Sequence, residues 1–124
     1  MPDAEQMTAV VLAYVDGFEQ GDVDAIAALF AVDATVEDPV GTPLKRGRAE
    51  IREFYSFSMA TGAKLELMGE PRCAGDCVAF PFKVKLAWEG QSSAIEVIDT
   101  FRIDENGKIA EMRAFWGPAN MKSA

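Results

Sequence analysis

Three polar side chains fall where the surrounding pattern is apolar. In the segment TVEDPVG, Thr35 to Gly41, two acids stand side by side. If the alternation of an extended chain runs through Pro39, Asp38 shares a face with Val36 and Val40, and Glu37 shares the opposite face with Thr35. Pro39 favours this, because the residue before a proline is pushed towards extended geometry. A solvated turn acid is the alternative. In the segment Ser93 to Ile103, Asp99 alternates in phase with Ile95, Val97, Phe101 and Ile103, and no Lys or Arg shares that face. A carboxylate there is costly to desolvate unless it is paired or protonated. A cation from elsewhere, or a bulge that turns it outward, would also resolve the conflict. Tyr14 lies in phase with Val10, Val11 and Phe18, either as a core tyrosine or as a phenol donor aimed into a pocket. Together the three could supply one carboxylate to take a proton and two neutral donors to hold the negative charge that develops. That is the chemistry of enolisation beside a carbonyl.

The elements that must position these groups are legible from periodicity. Met7, Val10, Val11, Tyr14, Val15 and Phe18 recur at helical spacing, and Gly21 ends the run. Asp22 can cap a second helix bearing Val23, Ile26, Leu29 and Phe30. An extended segment, Ala34 to Asp38, precedes a third helix that begins near Gly47 and carries Ile51, Phe54, Tyr55 and Met59. The rest reads as strands: a short one at Leu65 and Leu67, a long one from Val78 to Trp88, another from Ser93 to Ile103, and a last one from Lys108 to Trp116. Asn106-Gly107 marks a hairpin between the last two. Pro81 predicts an edge position or a bulge. Helices first and strands afterwards predict an α+β fold, with a curved, mainly antiparallel sheet around the helices and an apolar pocket between the layers.

Composition narrows the chemistry. The 124 residues suit one domain, 1–124, and 49% of them are hydrophobic, enough for a core without disulfides or a structural metal. There is no histidine, so histidine bases, Ser-His-Asp triads and histidine-ligated metals are excluded. Twenty acids against twelve bases give a net charge of −8, which disfavours nucleic acid and anionic membrane surfaces and suits a neutral ligand. Cys73 and Cys77 read as free thiols flanking a turn, although a disulfide across it is possible. The N-terminus lacks a basic region followed by an apolar core, and no apolar run reaches membrane-spanning length. A soluble cytoplasmic protein is expected.

Four stretches carry a resemblance to a known family. MTAVVLAYV around Tyr14, GDVDAIAALFAVDATVEDPVG containing Asp38, AEIREFY, and IDTFRIDENGKIAEMRAFWG containing Asp99 resemble bacterial Δ5-3-ketosteroid isomerases from about Met7 to Gly117. The resemblance implies a cone-shaped fold of the nuclear-transport-factor-2 type, a homodimer, and cofactor-free conversion of 3-oxo-Δ5-steroids to 3-oxo-Δ4-steroids. It implies that Asp38 is the general base moving a proton from C4 to C6, and that Tyr14 and Asp99 form the oxyanion hole. Phe54, Phe82, Val84, Ile95, Val97, Phe101, Met112 and Trp116 match pocket-lining positions, with Phe30 a further neighbour and Tyr55 in support. Some relatives have a longer chain of tyrosines. Here Phe30 stands where they carry one, so any network behind Tyr14 is shorter.

Overall fold

The computed structural model describes residues 1–123, without the side chain of Trp88. Helix α1 (Ala4–Gln20) starts at a reciprocal cap: the Gln6 amide donates to Asp3 Oδ1 at 2.8 Å, and the Asp3 amide donates to Gln6 Oε1 at 2.9 Å. It ends at Gly21, whose φ of 65° few other residues adopt. Its buried stripe is Met7, Val11, Tyr14, Gly17 and Phe18. Asp22 caps the short α2 (Val23–Ala28) through the Ala25 amide. The two helices pack closely at Gly17, where a Cβ would lie 2.5 Å from Ile26 Cδ1, so a larger residue would force the Ile26 side chain to move.

Strand β1 (Phe30–Glu37) follows, then β2 (Lys45–Arg46) and helix α3 (Gly47–Ala60). The remaining strands are β3 (Lys64–Leu67), β4 (Arg72–Ala74), β5 (Cys77–Trp88), β6 (Gln91–Ile103), β7 (Ile109–Phe115) and β8 (Met121–Ser123). The sheet order is β2-β1-β7-β6-β5-β3, with β4 also on β5 and β8 on β6. Every pairing is antiparallel except β1 with β7, which is parallel and makes the sheet mixed. Those two strands lie far apart in the chain, so no tight turn dictates their relative direction. With three helices on this sheet, the α+β reading holds.

Helices α1 to α3 close over the inner face of β5, β6 and β7. Phe30, Ile51, Tyr55, Phe80, Phe101, Ile109 and Met112 are fully buried between the layers. Each such side chain contributes about 1.5–3 kcal/mol of transfer free energy. On β6, Val97, Asp99, Phe101 and Ile103 are buried while Glu96, Ile98 and Arg102 are exposed, so the expected alternation is observed without a bulge at Asp99.

Three local expectations need refinement. Pro81 lies in an interior strand, and the β5–β6 register runs unbroken from Cys77 to Trp88. Its carbonyl accepts from the Met68 amide at 2.9 Å, so its nitrogen faces the same side, at the gap where β3 has ended and β4 has not begun. The missing donor therefore breaks no ladder. The β5–β6 hairpin turns on Glu89 and Gly90, whose φ values of 49° and 78° suit a two-residue turn, so β6 begins earlier than expected. Cys73 faces Val78 across β4–β5 whereas Cys77 faces Ala74, which puts the thiols on opposite faces of the hairpin, and both are free.

Candidate active site

Four elements bring the three singled-out residues to one cavity of about 300 Å³ between α1, α3 and the sheet. Tyr14 enters from α1, Asp99 from the inner face of β6, and Asp38 from the end of β1, while α3 supplies Phe54, Tyr55 and Ser58.

The deep end holds Tyr14, Tyr55 and Asp99. The two phenol oxygens are 2.9 Å apart, in hydrogen-bond contact. The Tyr14 ring is also fixed by edge contacts to Phe101 (centroids 5.1 Å) and Tyr55 (5.8 Å). Burial holds both phenols well above their usual pKa, with the neighbouring carboxyls adding to it, so both are neutral donors over the ordinary pH range. Asp99 is 1% exposed, and neither of its side-chain oxygens has a hydrogen-bond partner. Among the described residues no cation pairs with it. Burial first, and the charge of Asp38 second, push its carboxyl well above the usual range. A buried carboxyl that favours its neutral form and has no hydrogen-bond partner therefore lies at the wall of an apolar cavity.

The second end is built differently. Asp38 lies just beyond β1, half-buried, and Trp116 Nε1 donates to its Oδ1 at 2.8 Å. The loop that carries it is tied to β7 by the Val40 amide, which donates to the Ala114 carbonyl at 2.8 Å. Ala114 is the register partner of Asp99, which fixes the two acids relative to each other. Burial raises the Asp38 pKa, while the Trp116 bond and the Lys45 charge oppose it. Asp38 is thus a carboxylate of raised basicity held by one neutral donor. Its neighbour Glu37 turns away. The Gly41 amide (2.9 Å) and Arg113 Nε (3.1 Å) donate to it and hold its pKa below the usual value. The inward and outward assignment of the acidic pair agrees with the alternation.

Between the ends the wall is apolar. Phe54, Phe82, Val84, Ile95, Val97 and Trp116 line it, the positions that the family resemblance implied. Phe101 and Met112 do not, which corrects the expectation for both. They are fully buried partners across β6 and β7, and Phe101 packs behind Tyr14. Strand alternation marks a residue as inward, but the cavity covers the inner face of β6 only as far as Asp99. Beyond that row the helices fill the space. Phe30 is likewise core, packed on Tyr55 at 5.7 Å. Residues not singled out from sequence also line the cavity, among them Phe57, Ser58, Thr61 and Leu65. Ser58 follows Phe54 by four residues, so helical spacing could have found it. The Trp116–Asp38 bond has no local signal, because 78 residues separate the partners.

Among the described residues no group of three or more His, Cys, Asp or Glu could hold a metal ion, and no helix is long and apolar enough to cross a membrane.

The chain is similar to several known proteins. Residues 11–112 match the SnoaL-like domain family. A steroid Δ-isomerase of Nocardioides simplex is 43% identical over 116 residues, covering 94% of each chain. The epoxide hydrolase LasB of Streptomyces lasalocidi is 31% identical over 123 residues, covering 94% of this chain and 43% of that protein. Among solved structures, the epoxide hydrolase/cyclase-like enzyme SalBIII, which has a role in pyran ring formation in the polyether salinomycin, superposes with a TM-score of 0.93 at 30% identity over the whole of both chains.

Proposed function

The chain belongs to the SnoaL-like family, together with the steroid Δ-isomerase it resembles at 43% identity, and from that premise we propose how its cavity turns a 3-oxo-Δ5-steroid into the conjugated 3-oxo-Δ4-steroid. The protein is a steroid Δ-isomerase. The steroid lies along the apolar wall, its rings against Phe54, Phe82, Val84, Ile95, Val97 and Trp116. Flat, neutral fused rings need no charged anchor there. The C3 carbonyl points to the deep end, where Tyr14 and Asp99 each donate a hydrogen bond to it. Asp38 takes a proton from C4, the negative charge moves to the C3 oxygen as a dienolate, and Asp38 returns the same proton to C6. The proton count closes, so the reaction calls for no cofactor. Tyr55 lies in hydrogen-bond contact with Tyr14 at 2.9 Å, and in this mechanism it donates to the Tyr14 oxygen, which leaves the Tyr14 proton for the substrate.

Register accounts for the spacing. Asp99 lies two residues beyond Val97 on β6, about 7 Å along the strand. Trp116, which holds Asp38, follows Phe115, the partner of Ile98. The base is thus offset along the cavity from the oxyanion donors, as C4 and C6 are offset from the C3 oxygen. Each donor aimed at the developing oxyanion lowers the barrier by about 2.7–4 kcal/mol.

The observation that carries the reading is the buried Asp99 carboxyl without a partner, on the same cavity as an ionisable Asp38. Incubation with 5-androstene-3,17-dione, followed by absorbance of the conjugated enone, is expected to show turnover. Folded protein that gives no enone above buffer would sink the proposal.

A second reading rests on the whole-chain similarity to SalBIII. Asp38 would take the proton of a hydroxyl while Asp99 protonated an epoxide oxygen. Apart from Ser58 and Thr61 the wall between them is apolar, poorly suited to hold a flexible, oxygen-rich chain, which favours the steroid. Ring opening of a hydroxy-epoxide without any enone activity would reverse that preference.

The same proposal treats residues 1–124 as one domain acting in a homodimer. The exposed outer face of the sheet carries Ile98 and Phe115, a surface suited to a second copy. A monomeric mass by light scattering at assay concentration would refute the dimer. The two free thiols fit a cytoplasmic setting, which alkylation in intact cells would check. A charge of −8 gives nucleic acid and anionic membranes no purchase.

A further inference from the structure

The cavity continues well past the groups that the isomerisation uses. On the inner face of β5, Phe80 pairs with Asp99, and Phe82, Val84 and Leu86 then line the wall in succession. Six residues of strand separate Phe80 from Leu86, about 20 Å. Along this line Leu65 pairs with Val84, and Ala63 and Thr61 close the outer rim. Helix α3 runs the same way. Tyr55 reaches the donor end, because a long helical side chain leans towards the N-terminus of its helix. Ser58 lies nearly one turn further on, about 4.5 Å along the axis, and lines the outer half of the cavity.

Ser58 is half-buried, and its hydroxyl makes no hydrogen bond within the described residues. A helical serine commonly returns its hydroxyl to the carbonyl one turn back, and here it does not. The neighbouring Thr61 is occupied otherwise, since its Oγ1 donates to the Ser58 carbonyl at 2.7 Å. Phe54, Leu65, Val84, Leu86 and Ile95, which line the same cavity, offer no polar group. The outer half of an otherwise apolar wall therefore presents one free hydroxyl.

We infer that Ser58 is a specificity-determining residue, whose hydroxyl hydrogen-bonds an oxygen at the end of the steroid remote from C3, on the D ring at C17. The inference rests on the isomerase reading for the orientation of the steroid. With the C3 oxygen between Tyr14 and Asp99 and C4 at Asp38, the rigid ring system directs C17 outward along β5. A hydroxyl both donates and accepts, so Ser58 serves a 17-oxo and a 17-hydroxy substrate alike. A 17-deoxy steroid leaves it unpaired, and discrimination follows. Ser58 touches no reacting atom, so its contribution belongs to binding and appears in KM.

The test compares wild type, Ser58→Ala and Ser58→Thr on 5-androstene-3,17-dione and on its 17-deoxy analogue. Ser58→Ala is expected to raise KM for the dione by about three- to tenfold, the worth of one hydrogen bond, with kcat unchanged. KM for the 17-deoxy substrate should stay within twofold of wild type, about the lower limit for one hydrogen bond, and Ser58→Thr should restore much of the loss. Equal effects on both substrates, or none on either, would overturn the inference. Binding of the inert saturated ketones 5α-androstane-3,17-dione and 5α-androstan-3-one, measured by calorimetry, separates this from the isomerase reading. A preference for the dione that Ser58→Ala abolishes supports the inference even without turnover, and no such preference in wild type overturns it.

Discussion

Asp38 and Asp99 are the same chemical group on one cavity, and their surroundings differ in burial and in hydrogen bonding. Asp99 sits mid-strand on the inner face of β6, buried, with no hydrogen-bond partner and no paired cation among the described residues. Asp38 sits where β1 has ended, half-open, with the Trp116 indole on one oxygen and the Lys45 charge nearby. Burial raises both, but only Asp38 has groups that favour its charged form. In the proposed mechanism this difference makes the deep carboxyl the donor and the one at the lip the base. Glu37, one residue from Asp38, makes the same point from outside the cavity: two donors hold it ionised and spent.

The sharpest way to break the contrast is at the base. Asp38→Asn keeps the shape and removes the proton acceptor, so kcat should fall by about 10²–10⁴-fold, the range for general bases, while steroid affinity survives. Equal turnover would remove Asp38 from the mechanism.

Asp99→Leu should cost about 10²–10³-fold in kcat, the range for one oxyanion donor. Its effect on stability runs the other way. The folded pKa of Asp99 lies above that of the unfolded chain. Stability from this group is therefore complete at low pH and is lost as pH rises from the ordinary carboxylate range to the raised folded value. Asp99→Leu removes that loss, so its Tm should match or exceed wild type at pH 8 and change less between pH 4 and pH 8. A variant that melts earlier than wild type at pH 8 would mean that Asp99 is paired and ionised in the fold.

The smallest effect is the most diagnostic of tuning. Base catalysis needs Asp38 ionised, so kcat/KM should fall as pH drops through its raised pKa. Trp116→Phe deletes the bond that favours the carboxylate. The acid limb should then move to higher pH, with a plateau loss of about two- to tenfold. A limb that stays in place would show that the indole only fills space.

Much of this was legible in the chain because it depends on period and phase. Helical spacing put Tyr14 on the buried stripe of α1, and strand alternation put Asp99 inward and split Glu37 from Asp38. What alternation could not tell is how far a cavity extends along an inward face. Phe101 and Asp99 share a face of β6, yet one is core and the other borders open space, because helix placement fills the rows beyond Asp99. Nor could it place Trp116 on Asp38, a contact made across the sheet by residues 78 apart.

Residue type and phase are local properties, so the sequence by itself determined which side chains point inward, that no histidine chemistry is available, and that two acids and a phenol stand against apolar neighbours. Only the tertiary structure decided which inward residues meet empty volume, which acid gains a donor and which goes without, and that Ser58 of α3 lines the cavity. Those depend on the packing of α1 and α3 against the sheet, and burial and hydrogen bonding there set the electrostatics of each group.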